Sequence, residues 1–225
     1  MNITSLPQLA RNANRLREIA TILSKYGLAD WISRLNVGFA KGLFKAPDGQ
    51  GLGHLSHETR IRLALSELGT TFIKVGQILS TRPDLVGPEL AQELTKLQED
   101  VRADPPDVVR ATVERELGAP LEELFGQFDE KPIASGSIGQ VHRARLPDGR
   151  EVVVKVQHPG IEARVRNDLE ILLGLAELAE QHVPEVRQYQ PKATAKEFQR
   201  ILLRELDFGR EERNLQQFAT NFARD

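Results

Sequence analysis

The chain has 225 residues, of which 40% are hydrophobic and 28% are charged, a composition typical of a folded domain with a hydrophobic core. Its 30 Lys and Arg residues nearly balance 32 Asp and Glu residues, which argues against a general nucleic-acid-binding protein. The absence of cysteine excludes disulfides, thiolate metal sites and a cysteine nucleophile.

Residues 1–45 form a basic arm, with seven Lys or Arg residues against two acidic ones and apolar residues near helical spacing. One interpretation is an amphipathic helix that lies on an anionic membrane surface. The other, which we favour slightly because Trp31 is the only interfacial anchor, is a helix packed on the main body. The sequence shows no signal peptide and no membrane-spanning run, so we expect a cytoplasmic location, with peripheral contact to the inner face of a membrane as an option.

A glycine- and proline-rich linker, residues 46–55, separates the arm from a helical region that we assign to residues 56–128. Apolar residues at steps of three and four predict one long helix that starts near residue 56 and ends before Pro83. Later in this region, Pro88 is typical of the first turn of a helix, and Gly118 is typical of the position just after a helix end.

The predicted long helix also carries a polar stripe. Its members are Glu67, Thr70, Lys74, Gln77 and Thr81. Lys74 and Gln77 lie about one turn apart on one face, and Gly76 between them permits close approach of a neighbouring group. The alternative is that these residues only form a solvent-exposed face, but solubility alone would not require the order Lys-Val-Gly-Gln.

The sequence changes character at Pro132, where residues 138–146 and 151–157 predict two strands joined by a turn. A loop of small residues, Ala134, Ser135, Gly136 and Ser137, precedes the first strand. Its backbone N–H groups could approach phosphate oxygens without obstruction by large side chains. Lys155, predicted to point inward from the second strand, would add a positive charge near the α and β phosphates of a nucleotide.

A final helix is predicted from about residue 193 to the C-terminus, and it places Glu205 in phase with apolar residues. A carboxylate on an apolar face is unfavourable unless it is paired, so Glu205 is a candidate partner for Lys155. Glu170 and Glu177, on the helix that follows the lysine strand, are the alternatives. We favour Glu205.

Four segments, in this order, resemble motifs of the UbiB/ADCK (aarF-domain) family of atypical kinase-like proteins. They are the K-x-G-Q signature at Lys74, Gly76 and Gln77, the nucleotide loop around residues 134–137, the strand lysine Lys155, and the E-x-D motif at Glu205 and Asp207, followed by Glu211. Together they cover about residues 60–218.

The resemblance implies an α+β fold, with the antiparallel β-sheet and helices of a protein-kinase-like small lobe in residues 129–225. Residues 56–128 would be the helical K-x-G-Q extension, which in the family folds over the active site. Lys155 would hold the α and β phosphates, Glu205 would reach Lys155 or Lys74, and Asp207 would lie near the metal or the extension.

The resemblance also implies a function. Family members bind ATP or ADP with Mg²⁺ and support ubiquinone (coenzyme Q) biosynthesis as ATPases or unorthodox kinases at membrane surfaces. The expected partners are therefore a nucleotide, membrane lipid or isoprenoid-quinone precursors, and biosynthetic proteins, but not nucleic acid. The competing hypothesis is a non-catalytic module that binds a membrane surface, a lipid or a protein partner.

The sequence departs from the family pattern at two places. Ser135 and Gly136 interrupt the alanine-rich loop, which leaves the preference between ATP and ADP open. Asp207-Phe208-Gly209 spells D-F-G, but it follows Lys155 too closely to leave room for a catalytic loop, so we interpret it as a chance string. We therefore expect an N-terminal fragment that lacks the large lobe, with its catalytic loop and metal-binding Asp, and is inactive on its own.

Overall fold

The computed structural model describes three ranges of the chain, residues 12–28, 54–97 and 103–222. The chain divides into two compact units. We call Met1–Leu97 together with Arg164–Asp225 the helical unit, and Gln98–Ala163 the sheet unit. The predicted linker and Trp31 lie outside the described residues.

Local signals in the sequence account for several element boundaries. Pro88 opens a helix in its first turn, and Gly118 ends another in the left-handed conformation, with φ of 74°, as predicted. The described helices are α1 (Ala13–Lys25), α2 (His57–Leu68), α3 (Thr70–Ser80), α4 (Pro83–Val86), α5 (Pro88–Leu94), α6 (Pro106–Leu117), α7 (Leu121–Leu124), α8 (Ile161–His182), α9 (Pro191–Leu206) and α10 (Phe208–Phe222), with a 3₁₀ helix at Pro184–Tyr189. The described strands are β1 (Gln127–Phe128), β2 (Ala134–Ser135), β3 (Gly139–Arg145) and β4 (Glu151–Gln157).

Helix α1 packs its apolar stripe into the core of the helical unit. Its buried residues include Leu16, Ile19 and Ile22. They belong to one cluster with Leu68 and Phe72, which α2 and α3 contribute, and with residues of α8. For residues 13–25 the structure therefore agrees with the packed-helix interpretation, because the apolar face of this helix is already covered.

The predicted long helix over residues 56–81 is wrong, since a glycine divides it. Gly69 adopts φ of 93° and ψ of −165°, a conformation that residues other than glycine rarely adopt, and it separates α2 from α3. The carbonyl of Gly69 then accepts hydrogen bonds from the first turn of α3. The polar stripe is divided as well, because Glu67 ends up on α2 and pairs there with Lys25 and Tyr26.

In the sheet unit, β3 is the central strand. It pairs along its whole length with β4, while β1 and β2 pair with its two ends, all antiparallel. The β3–β4 hairpin was predicted, but β1 was not, and β2 lies within the segment predicted to be a loop. Both short strands have two residues, too few for a visible alternation of apolar and polar side chains.

The two faces of the β3–β4 hairpin differ, as a period of two requires. Val152, Val154 and Val156 face a core that α6 and α7 complete with their own apolar residues. Lys155 falls on the opposite, exposed face. The prediction that Lys155 points inward is therefore wrong with respect to the core of this unit, because the three alternating valines occupy that side.

The single predicted C-terminal helix is also divided. α9 ends at Leu206 and α10 begins at Phe208, with Asp207 between them. α10 has no buried residue, and its Leu215, Phe218 and Phe222 are exposed. None of the helices that the structure describes is both long enough and apolar enough to cross a membrane.

Candidate nucleotide site

The predicted nucleotide loop is a tight connection between β2 and β3. Ser135 pairs with Gln140, and the N–H of Gly136 donates to the carbonyl of Gly139 at 3.0 Å. The prediction of a loop over residues 134–137 needs correction, because Ala134 and Ser135 belong to β2. Only Gly136 and Ser137, of the four predicted phosphate contacts, lie in the turn itself.

Gly139 ends this turn, and its place in the sheet excludes a side chain. A Cβ atom at Gly139 would collide with the backbone carbonyl oxygen of Val156 on β4. The turn can therefore lie close against the neighbouring strand only because residue 139 is glycine. The sequence analysis assigned no role to Gly139.

A chain of hydrogen bonds lies beneath the loop, and sequence reasoning missed it. His158 Nε2 lies 2.8 Å from the Gly136 carbonyl oxygen, and His158 Nδ1 lies 2.6 Å from Asp104 Oδ2. The backbone N–H of Asp104 donates to Gln140 Oε1 at 2.7 Å, and Gln140 Nε2 lies 2.8 Å from His142 Nε2. Gln140 and His142 are fully buried, so this network is part of the interior that supports the loop.

Lys155 lies at the same end of the hairpin as the loop. It pairs with Val141, two residues along β3 from Gly139. On the same exposed face, Val153 stands two residues before Lys155 and is 67% exposed, unusual for a valine in a strand. Arg143 is the partner of Val153 across the hairpin. Sequence reasoning did not single out Val153, although the period of two places it beside Lys155.

Two of the predicted motifs meet in the helical unit. Lys74, in the K-x-G-Q segment of α3, forms an ion pair with Glu205 of α9 at 3.4 Å. This is one of the two pairings that the resemblance implied for Glu205. The alternatives have other contacts: Glu170 accepts a hydrogen bond from Asn12, and Glu177 pairs with Lys192. Which glutamate pairs with Lys155 stays a prediction.

The remaining K-x-G-Q residues help to pack the helical unit. A Cβ atom at Gly76 would collide with the side chain of Leu97 and crowd that of Leu65, so α3 needs glycine here for close approach. Gln77 donates from Nε2 to the carbonyl of Leu97 at 3.3 Å. Both contacts join α3 to the segment after α5.

Asp207 caps the last described helix. Its Oδ1 accepts a hydrogen bond from the backbone N–H of Arg210 at 3.0 Å, and its Oδ2 lies 3.3 Å from Arg213 Nη2. The D-F-G string therefore coincides with the start of α10. The role of Asp207 and Glu211 near a metal stays a prediction. Across the described ranges, no three His, Asp or Glu residues lie close enough together to hold a metal ion.

Comparison with known proteins gives consistent matches. Residues 96–225 match the ABC1 atypical kinase-like domain. The chain is 41% identical over 218 residues to a protein named Probable protein kinase UbiB from Aliivibrio fischeri (strain MJ11), which covers 92% of this chain and 39% of the relative. It is 44% identical over 168 residues to the protein of that name from Pseudomonas aeruginosa (strain LESB58), covering 75% of this chain and 32% of the relative.

A solved structure is also similar, that of Rv3197 from Mycobacterium tuberculosis in complex with erythromycin. It is 32% identical, with a TM-score of 0.47, and the match covers 65% of this chain and 36% of that chain. This chain thus spans well under half the length of the relatives it matches. The matched domain covers more than half of the chain, and its sheet and helices have the architecture expected of a kinase-like small lobe. The chain belongs to the ABC1 family of atypical kinase-like proteins.

Proposed function

We propose that this chain provides the nucleotide-binding part of an atypical kinase-like protein and binds ATP or ADP with Mg²⁺ at the turn between β2 and β3. The observation that carries the proposal is the register of the hairpin, which brings Lys155 and the Gly136–Gly139 turn to the same end. A lysine beside a turn with little side-chain bulk is suited to phosphate oxygens.

The exposed face of the hairpin supplies one further contact suited to a nucleotide. Val153 offers an apolar surface next to Lys155, against which a purine base could pack. Lys155 would then hold the α and β phosphates while Val153 contacts the base. Neither residue is needed for the core, because both point away from it.

Ser135 provides a test of whether the loop fits such a ligand. Its hydroxyl is buried and has no hydrogen-bond partner among the described residues. A buried polar group without a partner is unfavourable. A phosphate oxygen is an acceptor that this hydroxyl could satisfy, so the residues present are compatible with a bound nucleotide.

The Lys74–Glu205 pair supports the second element of the proposal. It joins the K-x-G-Q segment to the E-x-D segment within one unit. We propose that this pairing fixes the K-x-G-Q segment relative to the E-x-D segment inside the helical unit. The relatives carry the name UbiB, and we extend to the whole protein the role of an ATPase or unorthodox kinase that supports ubiquinone biosynthesis at a membrane surface.

Thermal unfolding with increasing Mg-ATP and Mg-ADP tests nucleotide binding. A ligand that binds only the folded state raises the midpoint, by about 3–5 °C at roughly tenfold its dissociation constant. We expect this rise in the wild type and its loss in Lys155→Met. Arg150→Met is the matched control, because Arg150 is an exposed cation in the turn at the other end of the hairpin.

The outcomes separate the two hypotheses. A rise that Lys155→Met abolishes and Arg150→Met retains supports the proposed site. No rise in the wild type at millimolar nucleotide contradicts nucleotide binding by this chain and leaves the non-catalytic module as the hypothesis to pursue. For that module the apolar face of α1 is not available, because it is buried within the helical unit.

A further inference from the structure

The ring of His158 lies between two hydrogen-bond acceptors. Nε2 faces the carbonyl oxygen of Gly136 at 2.8 Å, and a carbonyl can only accept. Nδ1 faces the Asp104 carboxyl group at 2.6 Å. The ring therefore lies between two acceptors, and it satisfies both only in the form that carries a proton on each nitrogen, which is the charged form.

His142 lies in the same network but in the opposite state. The backbone N–H of Asp104 requires Gln140 to present its oxygen, so the amide nitrogen of Gln140 faces His142 Nε2 as a donor. His142 must accept at Nε2 and donate from Nδ1 to the carbonyl of Asp129, at 2.7 Å. The neutral His142 fixes Gln140, and Gln140 in turn fixes the backbone at Asp104. Asp104 is thus held in place for its pairing with His158.

The carbonyl of Gly136 determines how the nucleotide turn presents its next peptide group. In a trans peptide the carbonyl of one residue and the N–H of the next point in opposite directions. With the Gly136 oxygen held on a ring that is only 10% exposed, the Ser137 N–H is held to the opposite side. Gly136 has no side chain to resist rotation of this peptide, so the contact with His158 contributes a restraint on it.

We propose that His158, charged and paired with Asp104, is a positioning residue for nucleotide binding. It keeps the Gly136 carbonyl oxygen directed into the protein, where it cannot face and repel a phosphate. This inference rests on the proposed nucleotide site, which it deepens. The sequence motifs assigned no role to His158 or Asp104, and these two residues lie 54 positions apart.

The experiment combines two measurements on the whole chain. Nitrogen-15 spectra of labelled histidine report the charge and tautomer of each ring, and titration calorimetry with Mg-ATP, well below the unfolding temperature, reports affinity. We expect an imidazolium signature for His158 in the wild type. In His158→Gln and Asp104→Asn we expect affinity about tenfold weaker, the size of one charge-assisted hydrogen bond, and shifted amide signals for Gly136 and Ser137.

His182→Gln is the matched control, since the His182 ring forms a hydrogen bond within its own helix, at the Leu178 carbonyl, and we expect it to leave both readouts unchanged. A neutral His158 ring in the wild type overturns the proposal, and so does unchanged affinity in folded variants. A purely structural role would lower the unfolding temperature without weakening binding. If the wild type binds no nucleotide, the proposed function fails, and unshifted amides of Gly136 and Ser137 in either folded variant would then overturn the positioning role separately.

Discussion

The two units of the chain bury polar groups in different ways. In the helical unit, Arg15 on α1 and Asp168 on α8 form an ion pair with contacts of 2.7 and 3.1 Å, and the same guanidinium donates to the carbonyl of Leu68. The side chains are only 11% and 1% exposed. The arginine of this ion pair therefore also supplies a hydrogen-bond donor to the last carbonyl of α2, next to Gly69, where the helix ends.

The sheet unit buries mostly uncharged groups, which are joined one to the next by hydrogen bonds. Gln140 and His142 are fully buried and lead through Asp104 to the His158 contact with the turn. The difference is instructive: the ion pair fixes the packing of helices, whereas the chain of shared hydrogen bonds fixes the backbone of a turn. We expect damage to the first to appear as lost stability, and damage to the second as altered binding.

The largest effect should follow from Asp168→Ala. This change leaves the Arg15 charge buried without its partner, and such changes lower the free energy of unfolding by about 3–5 kcal/mol. Urea unfolding followed by circular dichroism would measure it. Glu18→Ala is the control, because Glu18 contacts the same arginine but is 49% exposed, so we expect less than about 1 kcal/mol. Equal losses would show that the buried pair is not what stabilises this unit.

A second prediction compares a glycine from each unit. Gly139→Ala should lower the free energy of unfolding by about 2–3 kcal/mol, because its Cβ meets the backbone of β4, which cannot move without breaking the sheet. Gly76→Ala should lower it by about 1 kcal/mol, since leucine side chains can shift and alanine favours the helix. The same urea titration measures both. A larger loss for Gly76→Ala would reverse our view of which unit is packed more rigidly.

The smallest effect concerns a charge network in the helical unit, in which the exposed Lys96 and the part-buried Arg62 pair with Glu93. Hydrogen bonds from Lys96 and Arg62 lower the pKa of Glu93 from 4.5 to about 2. A depressed pKa means that the stabilisation is complete above pH 4.5 and is lost as the pH falls towards 2. We expect Glu93→Gln to reduce the free energy of unfolding by about 1 kcal/mol or less at pH 7.

The pH dependence distinguishes this contribution from a change in packing. The difference between wild type and Glu93→Gln should shrink between pH 4.5 and pH 2, and added salt should reduce it at pH 7. A difference that stays constant with pH would mean that Glu93 acts through its shape, as the buried groups of the sheet unit do, and not through its charge.

The sequence by itself determined the elements that depend on neighbours in the chain. Two runs of strand-forming residues around a turn predicted the β3–β4 hairpin, although not which of its faces packs on the core, and Pro88 and Gly118 marked a helix start and a helix end. These signals are local, because a residue's conformational range and the period of its element do not depend on distant contacts.

Tertiary structure decided the rest. Spacing showed that Lys74 lies on a polar face, but only the fold joined it to Glu205, and only the fold brought Asp104 to His158. At the break beside Gly69, likewise, only the fold brings Arg15 to donate a hydrogen bond to the Leu68 carbonyl. A sequence period tells which side chains share one surface of an element. It does not tell which distant atom completes a hydrogen bond, because that depends on how separate elements pack.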